Sequence, residues 1–264
     1  VIDYAYEVVV TDAGAAGLVT ITLSRPAARN ALDEQALRDL DAAYARAEAD
    51  GARAVLLRGE GRAFCAGRDI AGVDPRTDDA AGYLDKLLTP LLRRIAAFPA
   101  PTFAAAHGAC LGVGLGLLIA TDVVYVAPDA KIGSPFATLG ATLDSGGHAL
   151  FVERLGTHRT LDLIYSGRLL SGAEAVAAGL FSRVIDGDEV EERTRDAAVA
   201  AASGPTAAFV ASKRIVAALR DDRLGFWEAL ARETRAQVAL GDTDDYREGF
   251  AAFQQKRLPV FRGR

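Results

Sequence analysis

Apolar and polar positions change period several times along the chain, and each change predicts an element. Residues 18–23 (LVTITL) mix β-branched and apolar side chains as a strand does. Beyond Asn30, the apolar positions Leu37, Leu40, Tyr44 and Ala47 fall at helical spacing. They predict a helix capped by Asn30 and ending near Gly51. Residues 54–57 (AVLL) read as a buried strand. Leu84, Leu87, Leu91 and Ile95 predict a second helix, kinked at Pro90 because proline lacks a backbone donor. Short strands follow at residues 102–106 and 122–126. Strands alternating with helices predict an α/β fold with largely parallel pairing. After Gly187 the pattern is wholly helical, with breaks at Gly204-Pro205 and near Gly225 and Gly241. The expected division is a core over residues 1–200 and a C-terminal helical region over 201–264.

Charge and composition narrow the function class. Among 264 residues, 35 acidic and 30 basic side chains give a net charge of −5. A chain of pI near 5.3 lacks the basic footprint of a nucleic-acid binder, so no such partner is expected. Two cysteines, Cys65 and Cys110, cannot build a disulfide framework, and no stretch reads as a secretory segment. The longest apolar run, residues 108–121, falls short of the ~20 residues that a membrane helix needs. A cytoplasmic protein without a membrane partner is the expectation. His107, His148 and His158 lack metal-ligand spacing, so no metal is expected either.

Glycine is the count that changes the picture, because 12 of the 26 fall within residues 59–72 and 108–147. One loop, Phe64-Cys65-Ala66-Gly67-Arg68-Asp69, follows the 54–57 strand. The other, Gly108-Ala109-Cys110-Leu111-Gly112-Val113-Gly114-Leu115-Gly116, follows the 102–106 strand and leads into an apolar helix. Glycine lets backbone approach a ligand, and a helix start offers free N–H groups to negative charge. Two converging N–H groups would stabilise an enolate or a tetrahedral oxyanion. Tight turns and close strand–helix packing would account for the same glycines. A dinucleotide site fits less well, since Leu117 breaks the G-x-G-x-x-G register.

The chain resembles the crotonase (enoyl-CoA hydratase/isomerase) superfamily over essentially its whole length. The resemblance rests on Ser24-Arg25-Pro26 with Asn30-Ala31-Leu32, FCAGRDI (64–70), HGACLGVGLGLLIATD (107–122) and KIGSPFATLGATLDSGG (131–147). LSGAEAVAAGL (170–180) and DYREGFAAFQQKRLPVF (245–261) complete the ordered set. FATLGATLDSGG and YREGFAAF are most similar to the epoxyphenylacetyl-CoA isomerase type of phenylacetate degradation. Members of that type open an epoxide-bearing ring and also shift double bonds.

That resemblance implies a spiral core of ββα units and a helical C-terminal region that assembles a homotrimer or a dimer of trimers. It implies an acyl-CoA thioester as substrate, with coenzyme A entering as part of it and no separate cofactor. Two backbone N–H groups, carried over to Ala66 and Val113, would hold the thioester oxygen, with Gly67, Arg68, Asp69 and Gly112 beside them. Val113 stands where relatives usually carry glycine. Arg25 and Lys256, with Arg257, are the cations expected near coenzyme A phosphates; a solvated basic tail is the alternative for the latter two.

Departures from the family pattern select the chemistry. The two glutamates of the hydratases fall at Gly116 and Phe136, and neither residue can activate water. The resemblance makes Asp144 the candidate, since some double-bond isomerases of the family place their catalytic aspartate here, in a segment that lines the acyl pocket of relatives beside Leu143 and Phe136; Val73 and Leu84 are further pocket candidates. Apolar neighbours would raise its pKa toward a range useful for moving a proton on carbon. A role as N-cap of a helix from residue 146 is compatible with this. His148, four residues on, could tune its charge, whereas His107 reads as structural. Related aryl-CoA dehalogenases pair an aspartate here with a histidine and a tryptophan, where this chain has Thr89 and Phe136. An isomerase is therefore expected. A hydratase and a non-catalytic acyl-CoA-binding protein are the alternatives.

Overall fold

A computed structural model describes residues 1–11 and 14–264 of the chain. The elements run β1 (Ile2–Thr11), β2 (Gly14–Leu23), α1 (Glu34–Ala49), β3 (Ala54–Gly59), α2 (Thr89–Ala97) and β4 (Thr102–Ala106). Then come β5 (Ala109–Leu111), α3 (Val113–Ala120), β6 (Val123–Val126), β7 (Lys131–Gly133), α4 (Gly147–Leu155) and α5 (Thr157–Ser166). The chain finishes with β8 (Leu170–Ser171), α6 (Gly172–Ala177), β9 (Arg183–Val184), α7 (Val190–Ala202), α8 (Thr206–Asp221), α9 (Phe226–Leu240) and α10 (Asp244–Gln255).

Six strands form one sheet in the order β1-β2-β3-β4-β6-β9, and β5-β7-β8 form a small second sheet. In the large sheet the β1–β2 pair is antiparallel and every other pair is parallel, as the alternating pattern predicts. Both faces of the large sheet are covered. Val19, Ile21, Val55 and Leu57 pack with Leu37, Leu40, Leu91 and Leu115 from the helices of one side. Ala16, Leu18, Leu56 and Phe103 pack against Ala198 and Ala202 of α7 on the other. Two-sided burial is why β3 and β4 read as continuous apolar runs.

Two sequence-based expectations are corrected here. Asp33, not Asn30, caps α1, its Oδ1 accepting the Ala36 N–H at 2.8 Å. Asn30 is buried with φ of 56° and ties two turns together. Its Oδ1 accepts the Arg25 N–H, while its Nδ2 donates to the Glu60 and Ala63 carbonyls at 2.9 and 2.7 Å. Asn30→Ala strands these buried groups and places alanine in a left-handed conformation. We expect a loss of ~2–3 kcal/mol in unfolding free energy by urea denaturation. Pro90, in turn, follows a π-helical turn (Gly82–Leu88), not a simple kink. The Thr89 N–H reaches back five residues to the Leu84 carbonyl, and the chain re-enters α-geometry with Pro90 in the first turn of α2, where no donor is required.

The helical breaks of the C-terminal region fall where the glycines and proline predict. Helices α8 to α10 bury few side chains and leave Phe226, Trp227, Val238 and Phe253 largely exposed. An apolar cavity of about 450 Å³ opens between them, lined in part by Leu240, Tyr246, Phe250 and Phe261. Buried Asp245 clasps the terminal tail by accepting the Arg262 and Gly263 N–H groups at 2.6 and 2.7 Å. Among the described residues, no helix is long and apolar enough to cross a membrane.

Candidate active site

The two glycine loops lie side by side, running in parallel. Cys65 and Cys110 form an isolated parallel bridge, with the Cys65 N–H on the Ala109 carbonyl at 2.9 Å and the Leu111 N–H on the Cys65 carbonyl at 3.0 Å. Beyond that bridge Gly67 and Gly112 come together, a Cβ built on either lying 3.9 Å from the other's Cα, while Arg68 bridges in parallel to Leu32. Both glycines adopt positive φ, 104° and 51°. A Cβ on Gly67 would sit 3.0 Å from the Leu111 carbonyl oxygen, and one on Gly112 would sit 2.9 Å from the Phe136 ring. Close approach and backbone conformation therefore both require glycine there.

The backbone hydrogen bonds correct one of the two expected oxyanion donors. The Ala66 N–H is already given to the Arg29 carbonyl at 2.9 Å, so it has no capacity for a substrate oxygen. Arg68, two positions on, is not committed in this way. The flanking Gly67 carbonyl and Asp69 N–H are both bonded to Leu32, whereas the Arg68 N–H has no acceptor among the described residues. Val113 is differently placed. As the first residue of α3, its N–H has no partner within the helix, and its side chain is buried in the core. A residue in helical conformation needs no glycine, so a β-branched side chain is accommodated at position 113. The signal that would have identified Arg68 was present in the sequence as the Gly67/Gly112 correspondence, but reading it requires the pairing of the two loops.

The turn that carries Asp144 packs on α3. Position 116 lies one helical turn beyond Gly112, and a Cβ there would sit 2.6 Å from the Ser145 Cβ. The turn carrying Asp144 thus rests on the helix that begins with Val113. The carboxylate is not a cap for α4, whose N-cap is Gly146 with no side-chain hydrogen bond. Its Oδ1 instead accepts the Ser145 hydroxyl at 2.7 Å. Burial raises the Asp144 pKa above its ordinary value, opposed by the Ser145 hydrogen bond and by the charges of Arg68 and His148.

Other expected site residues have different occupations. Arg25 is spent within the protein: its guanidinium meets Asp33 at 3.1 Å, Asp69 at 2.9 Å and the Ala31 carbonyl at 2.9 Å. It braces the first loop and is not a free cation for phosphate. Asp69 receives that ion pair and closes a turn by accepting the Ala71 N–H. Leu143 is buried in the core, wedged against Gly147 and bordering, with Phe151 and Leu163, a void of about 10 Å³. Phe136 does stand at the loops, against Gly112. Lys256 is exposed at the C-cap of α10, and Arg257 is paired with Glu248. His107 bonds the Gly61 carbonyl at 2.8 Å, a structural role. Cys65 is fully buried, which pushes its thiol up to about 12 and leaves it a packing residue. Tyr83 was missed as a site neighbour. It is buried beneath the Arg68 guanidinium, 4.3 Å from ring centre to Cζ, and its hydroxyl donates to the Leu32 carbonyl.

Comparison with known proteins agrees with this architecture. The family described as "Enoyl-CoA hydratase/isomerase" matches residues 13–264. A relative from Rhodobacter capsulatus, named "Probable enoyl-CoA hydratase", is 36% identical and covers 94% of this chain and 95% of its own. The 1,2-epoxyphenylacetyl-CoA isomerase of Escherichia coli is 32% identical, with 94% and 96% covered. The crystal structure of an enoyl-CoA hydratase from Bacillus anthracis superposes with a TM-score of 0.86 at 27% identity, covering 99% of both chains. With its fold matching theirs and its sequence matched almost from end to end, the chain belongs to the enoyl-CoA hydratase/isomerase family.

Proposed function

We propose that the protein is an acyl-CoA isomerase that moves a carbon–carbon double bond, or opens an epoxide-bearing ring, by proton transfer through an enolate. One observation carries the reading. A single half-buried carboxylate, Asp144, sits in the turn that packs on α3, the helix begun by Val113, while the two positions that hold glutamate in hydratases are Gly116, packed against Ser145, and Phe136, packed against Gly112. Asp144 removes a proton from the carbon α or γ to the thioester. The Arg68 and Val113 N–H groups hold the oxygen on which charge develops. The same carboxyl then returns the proton two carbons away, and no second acid–base group is needed.

The substrate brings its own coenzyme A, for which exposed Lys256 is an available cation. The exposed aromatic face of α9 and α10 supports self-association as a trimer or a dimer of trimers, because apolar area of this kind is covered in stable assemblies. Hydration is the second reading, favoured by the name of the R. capsulatus relative.

The test supplies purified protein with β,γ- and α,β-unsaturated acyl-CoAs and separates the products by chromatography. Interconversion of the two without hydroxyacyl-CoA is expected; rapid hydroxyacyl-CoA formation would overturn the reading. The pH profile adds a second check. Only ionised Asp144 is a base, and burial lifts its pKa. Activity is therefore present above that raised pKa and falls as pH drops through it, with the acid limb displaced upward from the ordinary aspartate value.

A further inference from the structure

Within the turn between Leu143 and Gly147, consecutive residues adopt positive φ, Ser145 at 55° and Gly146 at 86°. Glycine tolerates the second position. Serine is strained at the first, because an L side chain crowds its own backbone there, and such residues persist only where the surroundings over-determine them. The surroundings here are specific. The Gly147 N–H closes the turn on the Asp144 carbonyl at 2.9 Å. The turn lies on α3, where a Cβ at Gly116 would meet the Ser145 Cβ at 2.6 Å and one at Gly146 would lie 3.6 Å from the Ile119 Cγ2. Glycine at position 145 would meet the backbone demand with less crowding. What serine adds is its hydroxyl.

That hydroxyl donates to Oδ1 of Asp144 at 2.7 Å. The other carboxylate oxygen, Oδ2, has no hydrogen-bond partner among the described residues. The charged and titratable groups that face Asp144 are Arg68 from the loop after β3, His148 from α4 and Tyr83 from the π-helical turn, while α3 presents Gly116 and Ile119 to its turn. The Arg68 guanidinium is paired with Asp78 at 2.8 and 2.5 Å, the Tyr83 hydroxyl is given to the Leu32 carbonyl, and His148 is exposed. Among the described residues, Ser145 is thus the one group hydrogen-bonded to the carboxylate.

We propose that Ser145 is a positioning residue for Asp144: held in a left-handed conformation by the packing of its turn on α3, it fixes Oδ1 through its hydroxyl and leaves Oδ2 as the oxygen that takes and returns the proton. Tying one oxygen restricts rotation of the carboxylate, so the same atom serves both transfers. The hydrogen bond also favours the charged carboxylate and opposes the effect of burial. The inference rests on the assignment of Asp144 as the base under the proposed function.

The experiment records pH–rate profiles and steady-state constants for β,γ-enoyl-CoA isomerisation in wild type, Ser145→Gly and Ser145→Ala, with a thermal melt of each. Both variants lack the hydroxyl and differ in backbone, since glycine is at ease at this φ and alanine is not. Each is expected to lose roughly tenfold in kcat on the plateau, the order of one hydrogen bond to a charged group, with KM little changed. Each also displaces the acid limb to higher pH, and Ser145→Gly melts no lower than Ser145→Ala. A serine with a purely structural role would instead make Ser145→Gly resemble wild type and confine the damage to Ser145→Ala. That result, or a wild-type limb in both variants, would overturn the proposal. Asp144→Asn, run in parallel, separates the two levels. Full activity in it sinks the assignment of the base and with it any positioning of that base, whereas lost activity beside a wild-type profile in Ser145→Gly sinks only the role of Ser145.

Discussion

Asp144→Asn lowers kcat for double-bond migration by roughly 10²–10⁴-fold, the range that a single positioned acid–base group contributes. The substitution is close to isosteric, and an amide oxygen can still accept the Ser145 hydroxyl that Oδ1 accepts at 2.7 Å. What it removes is the proton acceptor. The Arg68 and Val113 donors are untouched, so the thioester oxygen is bound as before and KM changes little. A loss confined to the transition state lowers kcat and kcat/KM together. Stability moves the other way or stays level, because burial disfavours the charged carboxylate and the variant no longer carries it. Steady-state kinetics on β,γ-enoyl-CoA, paired with thermal melts, separates these effects. A variant that melts normally and turns over at the wild-type rate would remove Asp144 from the mechanism.

How much of this was legible in the sequence depends on whether the controlling interaction is local. The glycine loops were, because positive φ at Gly67 and Gly112 leaves a residue-type signature. So were β3 and β4, whose two-sided burial writes continuous apolar runs, and the helical breaks of the C-terminal region. Strand β1 was not read, since its mixed pattern of tyrosine, glutamate and valine reflects a sheet edge with several half-exposed positions. Choosing between Ala66 and Arg68 as donor was beyond the sequence for a different reason. Both lie beside Gly67, and what distinguishes them is that the carbonyl of Arg29, 37 positions earlier, takes one N–H and leaves the other. Arg25 failed in the same way. Its position before Pro26 was visible, but not the two carboxylates, Asp33 and Asp69, that neutralise it. Asn30 looked like a cap because Asn often is one; its burial between two turns is a tertiary fact. Asp144 was singled out by the family resemblance, once the missing glutamates were noticed, and its own turn shows in the sequence as Ser145-Gly146-Gly147.

Restoring the two glutamates, as Gly116→Glu with Phe136→Glu, does not produce a hydratase, and Gly116→Glu alone costs the isomerase most of its activity. Space decides the first position. A side chain at 116 would begin 2.6 Å from the Ser145 Cβ and 3.0 Å from its carbonyl oxygen. Ser145 cannot easily yield, since it sits at φ of 55°, is followed by Gly146 at 86°, and spans a turn closed by the Gly147 N–H on the Asp144 carbonyl at 2.9 Å. Overpacking of this kind costs ~1–3 kcal/mol, and what gives way is the turn that aims Asp144. A misaim of about an ångström is enough for a loss on the order of 100-fold in rate. At position 136 the obstacle is charge. Phe136 covers Gly112, and a glutamate there would replace an apolar cover with a second carboxylate, hindering ionisation of Asp144. The double variant therefore has two carboxylates with neither placed around a water molecule. Product analysis on 2-enoyl-CoA is expected to find no gain in hydroxyacyl-CoA over wild type, with isomerisation strongly reduced in Gly116→Glu. Hydration by the double variant as fast as the wild-type isomerisation would show that the Ser145 turn moves aside, and that the missing glutamates alone separate this chain from its hydratase relatives.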